Sequence, residues 1–290
     1  MAEVIATPSK TAEILRKYDL RAQKRFGQNF LIDPNIVRKI AEAACEKDLP
    51  VLEVGPGIGS LTQQLCLCAK EVHTYEIDKK LIPVLQQELG EYENLTITEG
   101  DFLEVDLENV SFRDEEITFC SNLPYYVTTP ILFKLIESPL KIRRMTVMVQ
   151  KEVAERFRAQ PNDPEYGALS VILAYRYEVK NLLNVGKGAF SPQPRVDSTV
   201  VTFTPKGEGN PAFEKSFYPF VQKCFAQRRK TLYNNLRQIP EIADPSELLQ
   251  KLGFKESVRA QELNVQDFIR LHQEIYEGKS VREDQSGPER

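Results

Sequence analysis

The chain has 290 residues, enough to bury a full core as one large domain or two unequal ones. Hydrophobic residues at 41% and charged residues at 28% make an ordinary globular balance, with no run of eighteen apolar residues to span a membrane. A net charge of −4 argues weakly against a nucleic-acid partner, but the charges are segregated. Residues 88–116 hold eleven acids and one base, residues 10–25 hold six bases against two acids, and 223–237 hold five bases and no acid. Phosphate binding answers to the local field, so an acidic protein can present a basic face. Each cluster taken singly is about equally well a solvated helix face.

The opening stretch, MAEVIATPSKTAEILRKYDL, lacks the apolar run of a signal peptide. In "FLIDPNIVRKIAEAA" Asp33 can cap and Pro34 suits a first helical turn, so a helix is predicted there. Short β-branched runs follow at 51–55, 71–77, 95–100, 117–122 and 145–150, separated by helical patterns such as "KKLIPVLQQEL" and "TPILFKLIES". Such alternation predicts a parallel sheet flanked by helices. Runs at 175–183 and 198–205 suit an antiparallel hairpin at one end of the sheet, giving seven strands. "PKGEGNP" (205–211) reads as a linker, and helical patterns continue to Gly278. The expected organisation is a domain over 1–205 with a basic segment at 1–30, an all-helical domain over 206–278, and a disordered tail at 279–290.

Five scattered cysteines (45, 66, 68, 120, 224) are expected to be reduced, as in the cytoplasm. Cys66-x-Cys68 has no second half, and with only His73 and His272 available a zinc site is not expected.

Directly after the first strand, "LEVGPGIGSLT" places Glu53, Gly55, Gly57 and Gly59 before a helix. A glycine turn lets the backbone approach a ligand, while an acid two residues earlier repels phosphates and attracts an amine or sulfonium. Glu76 stands about twenty residues on, where a carboxylate can take both ribose hydroxyls. Asp101, after the third strand, can accept from an adenine amine. Singly each acid is an ordinary solvated or capping residue. Together at one sheet edge they describe S-adenosylmethionine.

"CSNLPYYVTTP" (120–130) is either a plain βα turn, which explains Asn and Pro, or a pocket for a flat polar ring, which also explains the tyrosines. With "KRFGQNFL" (24–31), "EVGPGIG" (53–59), "EID" (76–78), "GDFL" (100–103), "FSPQPRVDS" (190–198) and "QRRKTLYNNL" (227–236), the chain resembles the ribosomal RNA adenine N6-dimethyltransferases, specifically the bacterial small-subunit KsgA/RsmA family. These motifs run through nearly the whole chain in order. The resemblance implies a seven-stranded, mostly parallel Rossmann-like methyltransferase sheet with an antiparallel edge, plus a helical C-terminal domain. The implied reaction is methylation of N6 on two adjacent adenosines in a hairpin near the 3′ end of 16S rRNA in the small ribosomal subunit, two methyls on each.

Asn122 and the Leu123 carbonyl are then the acceptors aimed at N6, Pro124 fixes that carbonyl, Tyr125 stacks on the base, and Phe190 covers its other face. Asn29 and Leu31 touch the cofactor by the same resemblance. Lys24 and Arg25, with Arg228, Arg229 and Lys230 at the start of a basic helix, are the expected RNA contacts. No metal is needed, and a cytoplasmic monomer is expected. Two alternatives remain: a large-subunit enzyme of the macrolide-resistance type, and an assembly factor in which catalysis is secondary. DNA adenine enzymes use a similar tetrapeptide but usually carry a target-recognition domain for which this chain has no room.

Overall fold

Side-chain caps and early prolines set the first two helices. Thr7 accepts the Lys10 N–H at 3.2 Å and starts α1 (Pro8–Lys17). After the short β1 (Phe30–Leu31), Asp33 accepts from the N–H groups of Asn35 and Ile36 and starts α2 (Pro34–Ala44), as predicted. Val37, Ile40, Ala41 and Ala44 recur at helical spacing and are all buried. The computed structural model describes residues 3–23, 27–124 and 126–283, the stretch 277–283 by its backbone alone.

Strand and helix then alternate through β2 (Val51–Val54), α3 (Thr62–Cys66), β3 (Val72–Glu76), α4 (Ile82–Glu88), β4 (Leu95–Glu99), β5 (Glu116–Asn122), α5 (Thr128–Ile136) and β6 (Lys141–Gln150). Next come α6 (Lys151–Phe157), α7 (Ala168–Arg176), β7 (Tyr177–Val185), β8 (Phe190–Ser191) and β9 (Ser198–Pro205). The seven expected strands form one sheet in the order β4-β3-β2-β5-β6-β9-β7. Strands β2 to β6 pair in parallel, while β9 runs antiparallel to β6 with Met145 opposite Phe203. Thr199 bonds Asn184 and Thr202 bonds the Lys180 carbonyl, the reversed register of an antiparallel β7–β9 edge. Every residue of β2 and β3 is buried, as strands covered on both faces require.

The strand order reverses at β2, with β3 and β4 on one side and β5 and β6 on the other. The crevice at the carboxyl ends of β2 and β5 is therefore the switch point, where open α/β sheets bind ligands. The Ser121 hydroxyl donates to the Val54 carbonyl across that join.

Two compact units emerge: Met1–Ala154 with Val179–Pro205, and Glu155–Glu178 with Lys206–Arg290. A single boundary near 205 therefore misses a segment. Leu169, Val171, Ile172 and Leu173 of α7 are buried, and α7 packs on α8 (Pro211–Cys224) and α11 (Val265–Glu283). The Tyr166 hydroxyl donates to the Leu263 carbonyl at 2.8 Å, tying the same segment down. Between those helices lie α9 (Leu232–Leu236) and α10 (Pro245–Lys251).

Three further expectations are corrected. The basic helix does not form over 225–230, because α8 stops at Cys224 and the chain turns before α9. Gly278 does not end α11, which continues to Glu283; the following KSVRE contains no proline, and an interior glycine costs only about 1 kcal/mol. Of the predicted disordered tail, 284–290 lies outside the described residues. Finally, Cys45 and Cys68 form a disulfide, so not all five cysteines are reduced. Cys45 caps α2 and Cys68 follows α3, which brings their Cα atoms to 5.9 Å, within disulfide reach. Cys66, Cys120 and Cys224 are buried thiols.

Candidate active site

At the switch point a cavity of about 200 Å³ is lined by Glu53, Gly55, Gly57, Glu76, Asp101, Asn122, Leu123 and Pro124, among others. These residues come from four successive strand ends, as the sequence predicts. Gly55 and Gly57 take φ of +71° and +64°, a region that side chains disfavour. A Cβ on Gly57 would also stand 3.3 Å from the Phe30 ring. The turn therefore brings bare backbone to the cavity.

The two inner carboxyls differ in how they are satisfied. Glu76 Oε2 accepts the Gly57 N–H at 3.0 Å and Oε1 accepts the Asp78 N–H at 2.9 Å. Burial pushes the Glu76 carboxyl up to about 7, with those two N–H bonds opposing the shift. Glu53 is 1% exposed, and its Oε2 has no hydrogen-bond partner among the described residues. Burial pushes Glu53 up to about 8, with Glu76 acting in the same direction. Ser60 also lines the cavity with a buried hydroxyl that has no partner among the described residues. An orphaned carboxyl oxygen and hydroxyl in a polar-ended cavity suit a ligand with a cationic, hydrogen-bonding tail.

Asp101 caps a 3₁₀ turn, its Oδ1 accepting from Leu103 N–H at 2.9 Å. Lys134, from α5, secures that turn by donating to the Leu103 and Val105 carbonyls at 2.8 and 2.6 Å. Nothing in sequence spacing singles out this lysine.

On the acceptor side, the Asn122 side-chain nitrogen donates to the Asn29 carbonyl at 3.4 Å, which leaves its amide oxygen as the acceptor to offer. The Leu123 N–H donates to the Met148 carbonyl, and the Pro124 carbonyl accepts from Val127 N–H and the Thr128 hydroxyl. The peptide between Leu123 and Pro124 is thus held on both flanks. Asn29 and Leu31 line the cavity as expected. Tyr126, which drew no role from the sequence, lines it with a ring 56% exposed. Burial, with Asp101 and Glu76 nearby, raises its phenol above the ordinary value.

Other predicted residues fall elsewhere. Phe190 is corrected: it does not line the cavity but pairs with Leu31 and is 2% exposed in the core with Val37, Ile40 and Val200. Phe190 opens β8, whose pairing with β1 directs its ring into that core. Tyr125, Lys24 and Arg25 lie outside the described residues. Of the basic N-terminal cluster, Lys10 and Lys17 are spent on Glu88, at 3.8 and 2.6 Å. Arg228, Arg229 and Lys230 belong to the second unit. Arg228 donates to the Pro164 and Tyr166 carbonyls at 2.7 and 2.9 Å, a structural task; Arg229 and Lys230 are exposed.

The strand order, the antiparallel strand beside β6, and a cavity with acids at successive strand ends define a Rossmann-like methyltransferase. Within that class, the chain belongs to the ribosomal RNA adenine dimethylase family, which it matches from residue 19 to residue 277. It is 44% identical over 283 residues to the ribosomal RNA small subunit methyltransferase A of Pediococcus pentosaceus, covering 93% of this chain and 95% of that protein. The protein of the same description from Oceanobacillus iheyensis is 41% identical, covering 95% and 98%. Among solved structures, a dimethyladenosine transferase from Plasmodium falciparum aligns with a TM-score of 0.67 at 30% identity, covering 83% of this chain and 95% of that one. The 23S rRNA methyltransferase ErmE aligns with a TM-score of 0.62 at 27% identity, covering 85% and 99%.

Proposed function

We propose that this protein uses S-adenosylmethionine to dimethylate N6 of two adjacent adenosines near the 3′ end of 16S rRNA, acting as a cytoplasmic monomer in small-subunit biogenesis. The observation that carries this is the convergence of Glu53, Glu76, Asp101 and the Asn122–Pro124 turn on one cavity at the switch point. The small-subunit relatives cited are 41–44% identical against 27% for the 23S enzyme, which favours 16S rRNA over the large subunit.

When bound, the cofactor supplies an electrophilic methyl on a sulfonium. Glu53, drawn back to its charged form when a cation enters beside it, balances the positive tail, and the spare lone pairs of Glu76 take the ribose hydroxyls. Asp101 keeps Oδ2 for the adenine amine while Oδ1 caps its own turn. The adenine N6 of the RNA is a poor nucleophile because its lone pair is delocalised into the ring. The Asn122 amide oxygen and Leu123 carbonyl accept its two hydrogens, favour a tetrahedral nitrogen, and stabilise the charge that develops there. Pro124 restricts the backbone that carries the second acceptor. The methylated nitrogen is acidic enough to release its proton to water, so the residues mainly position. Tyr125 remains the proposed stacking ring, Tyr126 lines the cavity as a second aromatic candidate, and Lys24, Arg25, Arg229 and Lys230 are the proposed phosphate contacts.

Asn122→Ala tests this directly by single-turnover methylation of undermethylated 30S particles, with 50S particles as control. Turnover should fall on the order of a hundred- to a thousandfold while cofactor and particle binding persist. Near-normal turnover would reduce the NLPY stretch to a simple turn, and wild-type transfer to 50S alone would move the substrate to the large subunit.

A further inference from the structure

Two residues beyond Glu76, the side chain of Asp78 is 4% exposed and fully engaged. Its Oδ2 accepts from the amides of Gln23 and Gln28 at 2.7 and 2.9 Å, and its Oδ1 accepts the Lys80 N–H at 3.2 Å. Gln23 N–H in turn donates to Gln28 Oε1 at 2.8 Å, closing the network. A buried carboxylate thus knots the N-terminal segment to the end of β3.

From that knot the chain runs straight into the acceptor side. A Cβ on Gly27 would meet Tyr126 at 3.7 Å and Pro124 at 3.8 Å, so the backbone lies against these two acceptor-side residues. Two residues on, the Asn29 carbonyl holds the Asn122 amide nitrogen. The Asn29 side chain braces the same bend by donating to the Gly27 carbonyl at 2.9 Å. Interactions that start beside the ribose carboxylate therefore finish on the amide proposed to activate N6.

We propose that Asp78 is a positioning residue for methyl transfer: through Gln23 and Gln28 it holds Gly27–Asn29 against the acceptor turn and fixes the aim of the Asn122 amide. The inference rests on the dimethylase reading of this cavity. Freed from Asp78, the segment loses its hold on both the cavity wall and the amide plane. A residue that touched only the cofactor would alter KM alone. A residue that only stabilised the fold would lower the amount of active enzyme and leave both constants unchanged.

Asp78→Ala and Gln28→Ala, separately and together, are compared in single-turnover methylation of undermethylated 30S particles across cofactor concentrations, with urea unfolding of each. For Asp78→Ala the expected result is a cofactor KM raised about tenfold and a saturated rate lowered about tenfold, the scale of lost charge-assisted hydrogen bonds. Gln28→Ala should shift both constants the same way by less, and the double variant should be no worse than Asp78→Ala, since both act in one network. Gln28→Ala keeps the carboxylate and serves if Asp78→Ala does not fold. Saturated rates at the wild-type value, or losses that add in the double variant, would overturn the proposal. A wild-type protein that methylates no 30S particle would instead sink the dimethylase reading, and this inference with it.

Discussion

Replacing Glu53 by Gln should make the protein more stable and less able to hold its cofactor. The folded carboxyl titrates at about 8 against 4.5 for an ordinary glutamate, chiefly because it is buried. The folded state therefore keeps a proton that the unfolded chain releases. Stability from this group is full below about pH 4.5 and is lost as pH rises through about 8. At about 1.4 kcal/mol per pH unit the loss reaches about 3 kcal/mol at pH 7 and about 5 kcal/mol at its limit. Glutamine keeps the shape without the charge, so Glu53→Gln should match the wild type near pH 4.5 and exceed it by about 3 kcal/mol at pH 7. Urea unfolding followed by circular dichroism from pH 4.5 to 8.5 measures this, and calorimetry should show cofactor affinity reduced about tenfold or more. Parallel stability curves for the two proteins, or unchanged cofactor affinity, would refute the reasoning.

Arg229→Ala with Lys230→Ala should weaken 30S binding and flatten its salt dependence by roughly one unit of slope for each phosphate no longer neutralised; an unchanged slope makes the pair a solvated surface. Arg228→Ala, which frees the Pro164 and Tyr166 carbonyls, should instead destabilise the second unit by about 1 kcal/mol in the same urea assay. His272 is 2% exposed among Phe213, Phe217, Phe220 and Tyr276, with Nε2 bonded to Ser216. Burial lowers it from 6.5 to about 4, so its contribution is present above about 6.5 and is lost as pH falls toward 4, by up to about 3 kcal/mol. The stability difference between wild type and His272→Gln should shrink over that window, and a pH-independent difference would contradict the assignment.

Much of the sheet could be read in advance because strand and helix leave different periods, and because Asp33-Pro34 announces a helix with two local signals at once. The cavity was equally readable, since Glu53, Glu76, Asp101 and Asn122 each sit at or within two residues of the carboxyl end of a strand. What escaped depends on packing between distant residues. The α7 run "ALSVILAYR" is apolar all round, so no face marks its partners. Arg228 looks like one more basic residue until two carbonyls claim it. Phe190 carries the motif of a base-facing ring, but pairing with Leu31 decides that it turns into the core. Cys45 and Cys68 meet only because the ends of α2 and α3 converge, and Asp78 matters only once Gln23 and Gln28 arrive from the N-terminal segment.

The path of the chain between the two units also bears on how the protein is made. The backbone leaves the sheet unit after Ala154, returns at Val179, and leaves it again after Pro205. Strands β7 and β9, which complete the sheet edge, are thus synthesised only after α7, whose core partners α8 and α11 have yet to emerge. A ribosome adding residues in order exposes Leu169, Val171, Ile172 and Leu173 before α8 and α11 can cover them. A chain cut after Pro205 would leave that apolar helix without α8 and α11 for good, and should aggregate rather than yield a soluble catalytic half.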